Sequence, residues 1–224
     1  LGAGVRGQIF AAVFTATLPM GILQATSTQN DYAATFWLVC FAYFTLTVVM
    51  GGKTDIIAAV LLGLSLGLAV LTKATSYIFA FPVLAWLVVS VFKARGLRAL
   101  KCLGVIVAVV FIINAGHYAR NFDLFGNPLG PSEITTLFTN KTHSAQALAS
   151  NLIKNISLHM STPFYLVNRG MEALIVRAHD NILGIGVMDP RLTWGKGEFH
   201  ILSINNNEDF SGNPIHFVII ATAI

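Results

Sequence analysis

Charged residues are scarce in this sequence, and that scarcity argues against a soluble fold. Only 11% of its 224 residues are Asp, Glu, Lys or Arg, whereas 55% are hydrophobic and the mean hydropathy is +0.70. Ordinary soluble domains carry about 25% charged residues. We therefore expect an integral membrane protein.

Cysteines are few, and the common catalytic signatures are missing. Cys40 and Cys102 both lie in apolar stretches, where a thiol acts as a small hydrophobic group more often than as a disulfide partner. The sequence has no Walker P-loop, Rossmann glycine fingerprint, GxSxG elbow or HExxH zinc motif. These absences argue against ATP-driven transport by this segment, dinucleotide chemistry and α/β-hydrolase acyl transfer.

Apolar runs predict the transmembrane helices. Five such runs occupy residues 9–23, 33–50, 56–71, 77–92 and 103–118, and a sixth begins near residue 215. We predict a transmembrane bundle at 1–118, a polar domain at 119–214 and the start of a further transmembrane helix at 215–224. Helix-like patterns near 144–159 and 167–183 indicate that the polar domain is α-rich.

Basic residues predict the orientation of these helices. Lys93, Arg95, Arg98 and Lys101 fall in the short loop after the fourth apolar run, which marks that loop as cytoplasmic. Alternation along the chain then places residues 119–214 outside the cytoplasm. The net charge of +4 belongs to such loops, so we expect no nucleic-acid partner.

Polar residues at the outer ends of apolar helices are the first candidates for chemistry. The string at 25–31 ends in Asn30 and Asp31, immediately before an apolar run. Asp31 is either an ordinary helix N-cap or a carboxylate that contacts a sugar hydroxyl, an amine or a metal. Asn30 is an accessory candidate.

Lys73 is the second candidate. It is a single lysine in a very short outer turn between two apolar runs, where a paired anion such as a phosphate would explain it. The alternative is an interfacial lysine that extends its ammonium group towards water.

A third cluster occupies residues 120–128, directly after the fifth predicted helix. Arg120 could bind a phosphate through two hydrogen bonds, Asn121 is an accessory candidate, and the Gly-Asn-Pro at the end predicts a turn. A fourth string, 208–216, offers three further accessory candidates: Glu208, Asp209 and His216.

Taken together, these strings resemble a known family. Ala-Thr-Ser-x-x-Asn-Asp at 25–31, Gly-Leu-Ala-Val-Leu-Thr-Lys at 67–73 and Arg-Asn-x-x-x-Phe-Gly-Asn-Pro at 120–128 are similar, in that order, to motifs of the membrane glycosyltransferases of the protein-mannosyltransferase and aminoarabinose-transferase type. The run at 208–216 looks like one bacterial branch of them. The resemblance implies an all-α multi-pass membrane protein with a GT-C-like transmembrane helix bundle and an α-rich extracytoplasmic domain.

The resemblance also implies an activity and roles for residues. It implies transfer of a sugar from a polyprenyl-phosphate donor to a cell-envelope lipid, glycan or protein acceptor at the non-cytoplasmic face. Asp31 matches an acidic catalytic position, Lys73 a basic residue near the lipid phosphate, and Arg120 an arginine that follows a later helix. In that family the principal catalytic acid precedes the matched region, so we expect this chain to be a fragment whose catalytic base lies upstream.

Cofactor and function retain alternatives. Some related enzymes use a divalent cation and others do not, and the sequence shows no metal-ligand spacing, so no cofactor is assigned. A multi-pass transporter or lipid flippase is the main alternative function, because a break near residues 26–31 could line a substrate path. A membrane scaffold whose outer domain binds a partner is the third.

Overall fold

The structure is a computed structural model of the chain, and it describes residues 3–51, 55–132, 140–192, 199–203, 206–207 and 210–223. All regular secondary structure within these ranges is helical, which confirms the prediction of an all-α fold. The α-helices are α1 (Val5–Ala16), α2 (Pro19–Thr26), α3 (Asp31–Gly51), α4 (Ile56–Thr72), α5 (Ser76–Arg95), α6 (Ala99–Phe125), α7 (Ala145–His159), α8 (Tyr165–Ala178) and α9 (Pro214–Ala223).

The chain folds into two compact units. The first unit spans Thr28–Ser132 and contains α3 to α6, whereas the second unit joins Ala3–Ser27, with α1 and α2, to the described residues after Ser132. The sequence-based division into a transmembrane bundle (1–118), an extracytoplasmic polar domain (119–214) and a further transmembrane helix (215–224) depends on the position of the membrane. That division stays a prediction.

Close packing of α4 against α6 forms the centre of the first unit. Gly63 and Gly67 of α4 leave no room for a side chain: a β-carbon built on Gly63 would lie 2.7 Å from Val109 Cβ, and one on Gly67 would lie 2.9 Å from Ile113 Cδ1. The glycines therefore allow the two helices to approach closely, as expected of the GxxxG spacing between them.

Apolar side chains cover much of the outer surface of the first unit. Its core includes the fully buried Phe41, Leu62 and Leu87, yet Ile78 of α5 and Ile112 of α6 are both 73% exposed. An exposed apolar surface of this kind suits a bilayer. By length and composition, α3 and the Ser76–Phe125 stretch can each cross a membrane, whereas α4 and α9 are shorter apolar helices.

The first predicted transmembrane helix is wrong as a single helix. The apolar run at 9–23 forms α1 and α2, whose axes differ by 63°. Pro19 is the first residue of α2, and it has no N–H to continue the α1 hydrogen-bond pattern. Together the bent pair is apolar enough to count as one interrupted span.

The last helix of the first unit is longer than predicted. α6 continues past residue 118 to Phe125 and ends at Gly126, which has the left-handed φ of +64° that glycine adopts most readily. Arg120 and Asn121 therefore lie within the helix, and the prediction that they follow it is wrong. Hydropathy falls at residue 118, but neither Gly nor Pro occurs between that residue and Gly126.

Buried polar residues organise the polar part of the second unit. Ser144 caps α7 by accepting a hydrogen bond from Ala147 N–H at 3.1 Å. Asn168 and Glu172 lie one turn apart on α8, and both are buried. Asn168 bonds to the backbone of Thr162 in both directions at 2.8 Å.

Candidate functional site

An ion pair joins two of the sequence candidates, Asp31 and Lys73. Lys73 Nζ lies 2.5 Å from Asp31 Oδ1, although the residues are 42 positions apart. Their side chains are 31% and 30% exposed, so the pair is accessible from outside the protein. The structure thus brings together two residues that the sequence suggested separately.

Helix geometry explains why these charges lie where they do. Asp31 is the first residue of α3, and Lys73 is the C-cap of α4, where the backbone becomes extended. A helix N-terminus carries partial positive charge and a C-terminus partial negative charge, so an acid and a base are stabilised at these respective ends. The two helix ends meet, and their charged residues neutralise each other.

A second contact fixes the same two helix ends. Asn30 Nδ2 donates a hydrogen bond of 2.5 Å to the carbonyl oxygen of Thr72, the last residue of α4. That carbonyl has no partner within the helix, because the last four carbonyls of any helix lack one. Asn30 therefore has a structural role that holds Asp31 next to Lys73.

A cavity of about 380 Å³ opens beside the ion pair within the first unit. Lys73, Tyr77, His117, Tyr118 and Pro128 are among its lining residues. The hydroxyl groups of Tyr77 and Tyr118 are hydrogen-bonded to each other across the gap between α5 and α6. Besides the cation, the cavity therefore offers phenol and imidazole groups, which suit hydroxyl and phosphate oxygens as partners.

Asn121 shapes the wall of this cavity. It is 9% exposed, and its Nδ2 is 3.1 Å from both His117 Nε2 and the Pro128 carbonyl oxygen. The amide nitrogen can only donate, so this contact is a hydrogen bond in the His117 tautomer whose Nε2 accepts. Asn121 thus fixes both the imidazole and the chain that follows α6.

Asn114 connects α6 to the helix that carries Lys73. Its side chain is fully buried, and Nδ2 donates to the Gly67 carbonyl oxygen of α4 at 3.1 Å. Polar bonds of this kind hold membrane helices together. Asn114, His117 and Asn121 recur every three or four residues along α6. This polar stripe on an otherwise apolar helix is a signal in the sequence that hydropathy averaged along the helix does not reveal.

The remaining candidates are not at the ion pair. Arg120 is exposed on α6, does not line the cavity and forms no ion pair with another described residue. His216 belongs to the second unit, where its Nε2 lies 3.1 Å from Thr17 Oγ1. Glu208 and Asp209 lie outside the described residues.

Comparison with known proteins identifies the family. Residues 4–118 match the sequence model of dolichyl-phosphate-mannose-protein mannosyltransferases, which covers half of the chain. The chain belongs to this family. Searches of curated proteins and of solved structures gave no significant match.

Family membership confirms the resemblance seen in the motifs and the GT-C type of membrane bundle. As a member of this family, the chain is a membrane glycosyltransferase. The matched region contains Asp31, Lys73, Tyr77 and His117, so the cavity beside the ion pair lies mainly in the part of the chain shared with the family. In the described part of the chain, no group of three or more His, Cys, Asp or Glu side chains is arranged to hold a metal ion.

Proposed function

We propose that this chain transfers a sugar from a polyprenyl-phosphate donor to a cell-envelope lipid, glycan or protein acceptor at the non-cytoplasmic membrane face. The observation that carries the proposal is the partly exposed cation of Lys73 at the edge of a cavity, in a family of lipid-dependent sugar transferases. The family's name specifies mannose, dolichyl phosphate and protein, which supports the class of donor and of reaction.

The reaction creates charge on the donor phosphate. The bond between the sugar's anomeric carbon and a phosphate oxygen breaks, and a new bond forms between that carbon and an acceptor hydroxyl oxygen, which loses its proton to a base. The donor phosphodiester has one negative charge, and the departing phosphate monoester has up to two. A cation at this phosphate therefore stabilises the transition state more than the ground state.

Lys73 is placed for that task. Its ammonium group is held at a helix end, next to the cavity, and retains about a third of its side-chain surface in contact with solvent. A donor phosphate entering the cavity would become a further partner of the ammonium group, which has three donors. Lys73 is therefore the proposed contact with the donor phosphate.

Asp31 has a proposed positioning role. Its carboxylate contacts Lys73 directly at 2.5 Å, so it orients the ammonium group before the donor binds. The sequence suggested a catalytic role for Asp31, and its contact with Lys73 favours one exerted through the lysine. The base that deprotonates the acceptor is not assigned to any of the described residues.

Arg120 remains a predicted contact of the donor. The guanidinium group lies on the last turns of α6, in the same unit as Lys73, and it is exposed. A long, flexible side chain at that place is free to bind a phosphate or the sugar hydroxyls when the donor is present.

Transfer of labelled sugar from polyprenyl phosphate, by membranes that contain the full-length protein, tests the proposal. We expect Lys73→Ala to lower kcat/KM by about 10²- to 10³-fold, the usual loss when one preorganised electrostatic donor is removed. Asp31→Asn should lower it by about tenfold, because the lysine stays but is less well held. Lys93→Ala is the matched control, since Lys93 lies in the last turn of α5 and does not line the cavity.

Two results would contradict the proposal. One is a Lys73→Ala variant that transfers sugar as fast as Lys93→Ala at equal amounts of protein in the membrane. The other is a wild-type protein that transfers no sugar from any polyprenyl-phosphate donor but moves a lipid between leaflets, which would favour the flippase.

A further inference from the structure

A second, larger cavity lies within the second unit. Its volume is about 630 Å³, within the range of about 300–1,000 Å³ typical of small-molecule sites. Phe10, Val13 and Phe14 of α1 form one wall, and Ile215 and Ile219 of α9 form another. The cavity lies where α1 gives way to α2.

Side chains from the start of α9 support the break between α1 and α2. Met20 N–H, near the start of α2, donates to Asn213 Oδ1 at 3.1 Å, so a backbone group released by the break is satisfied. Thr17 Oγ1, at the end of α1, is 3.1 Å from His216 Nε2. Interrupted membrane helices are tolerated where they are buried in protein or line a cavity, and such breaks often form binding sites.

Gly212 brings two serines to the cavity. A β-carbon at residue 212 would lie 1.8 Å from Ser161 Oγ and 2.9 Å from the Leu158 carbonyl oxygen, so no larger residue fits. This close contact places Ser161, just after α7, beside Ser211 in the cavity lining. The glycine is therefore required by the shape of the site.

The two serine hydroxyls indicate what the cavity binds. Ser161 is 6% and Ser211 5% exposed, yet neither hydroxyl forms a hydrogen bond within the described part of the chain. Neither oxygen is among the enclosed side-chain atoms of the described residues that lack a partner, so both hydroxyls are accessible from the cavity and can bind a ligand that supplies oxygen atoms. Among the described residues that line the cavity, none is Asp, Glu, Lys or Arg, and the complementary ligand group is therefore uncharged.

We propose that this cavity is a binding site for one neutral lipid. The hydrocarbon chain would lie along the apolar walls of α1 and α9, and an uncharged ester or hydroxyl group, as in a monoacylglycerol, would bind Ser161 and Ser211. The bilayer supplies such molecules directly, since α1 and α9 are themselves apolar helices. The site differs from the proposed donor site, where Lys73 provides a cation for a phosphate.

Photolabelling of the full-length protein in phosphatidylcholine vesicles tests the proposal. The probe is a monoacylglycerol with a diazirine in its acyl chain, and a fatty acid with the same photoreactive chain is the anionic comparison. We expect labelling of the peptide around His216 to saturate, to be competed by unlabelled monoacylglycerol, and to exceed labelling by the fatty acid by about tenfold. Polyprenyl phosphate should not compete.

Matched variants separate the cavity from the general lipid-facing surface. Val13→Trp and Ile219→Trp would fill the cavity and should each abolish the saturable labelling, whereas Val5→Trp, on the same helix but outside the cavity, should retain it. Replacement of Ser161 and Ser211 by Ala should remove the preference for the monoacylglycerol over the fatty acid. Labelling that never saturates, that is equal for both probes, or that persists in both tryptophan variants would overturn the proposal.

Discussion

The contact at Gly63 gives a sharp prediction about stability. A β-carbon on Gly63 would lie 2.7 Å from Val109 Cβ and 3.1 Å from the Ile106 carbonyl oxygen, whereas carbon atoms pack best about 3.5–4.0 Å apart. One neighbour is a stiff β-branched side chain and the other is backbone, so no rotamer change relieves the clash. Gly63→Ala must therefore move α4 away from α6 by about 1 Å, at a cost of about 1–3 kcal/mol.

A second glycine provides the control. Gly116 lies on α6 and has no atom within 4 Å of the place where a β-carbon would be. Alanine is a better helix former than glycine by about 1 kcal/mol in both variants, so this gain cancels when they are compared. Gly116→Ala should then be more stable than Gly63→Ala by about 1–3 kcal/mol, the cost of the clash alone.

Thermal unfolding of the two purified variants in the same detergent measures this difference. Gly63→Ala should also transfer sugar more slowly at a temperature where it remains folded, because Lys73 is the C-cap of α4 and would move with that helix. Equal unfolding temperatures for the two variants would refute the close packing of α4 on α6 described above.

Two further predictions concern the second unit. Burial raises the pKa of the Glu172 carboxyl, but hydrogen bonds from His200 and a backbone N–H, with a nearby guanidinium charge, outweigh it and hold the pKa below its usual range. The carboxylate therefore stabilises the folded form at pH values above the ordinary glutamate pKa of about 4.3, and this stabilisation is lost as the pH falls through the lowered value. The free energy of unfolding, measured between about pH 6 and 3, should thus depend less on pH in Glu172→Gln than in the wild type. Asn213→Ala removes the acceptor of Met20 N–H and should lower the free energy of unfolding by about 1 kcal/mol, as measured by denaturant titration. The control is Asn155→Ala, which changes an exposed asparagine on α7, and equal stability of the two variants would argue against a capping role for Asn213.

The sequence predicted the elements of the site better than their arrangement. Lys73 and Asp31 each stood out as a charge at the end of an apolar run, and the helical fold and the family were confirmed. Their ion pair depends on how the end of α4 meets the start of α3. Such a contact between residues 42 positions apart follows from packing, not from local pattern.

Helix ends were the least predictable feature. Hydropathy marks where a helix leaves apolar surroundings, but a helix ends where its backbone can no longer continue, which is why α6 extends to Phe125 and includes Arg120. The break at Pro19 shows the reverse case, because the apolar pattern continues through a residue that interrupts the helix. Composition alone did not distinguish the end of an apolar stretch from the end of a helix.

The most direct test of the central claim is the distance between Lys73 and the donor phosphate. Protein with ¹⁵N-labelled lysine, frozen in a phosphorus-free detergent with polyprenyl phosphate, would be measured by ¹⁵N–³¹P dipolar-recoupling NMR. We predict that one lysine Nζ lies about 4 Å from phosphorus, as expected for a charge-assisted hydrogen bond to a phosphate oxygen, and that this signal disappears in Lys73→Met but not in Lys93→Met. A lysine–phosphorus contact that persists in Lys73→Met, or none in the wild type at saturating polyprenyl phosphate, would contradict the assignment of Lys73 as the donor phosphate contact.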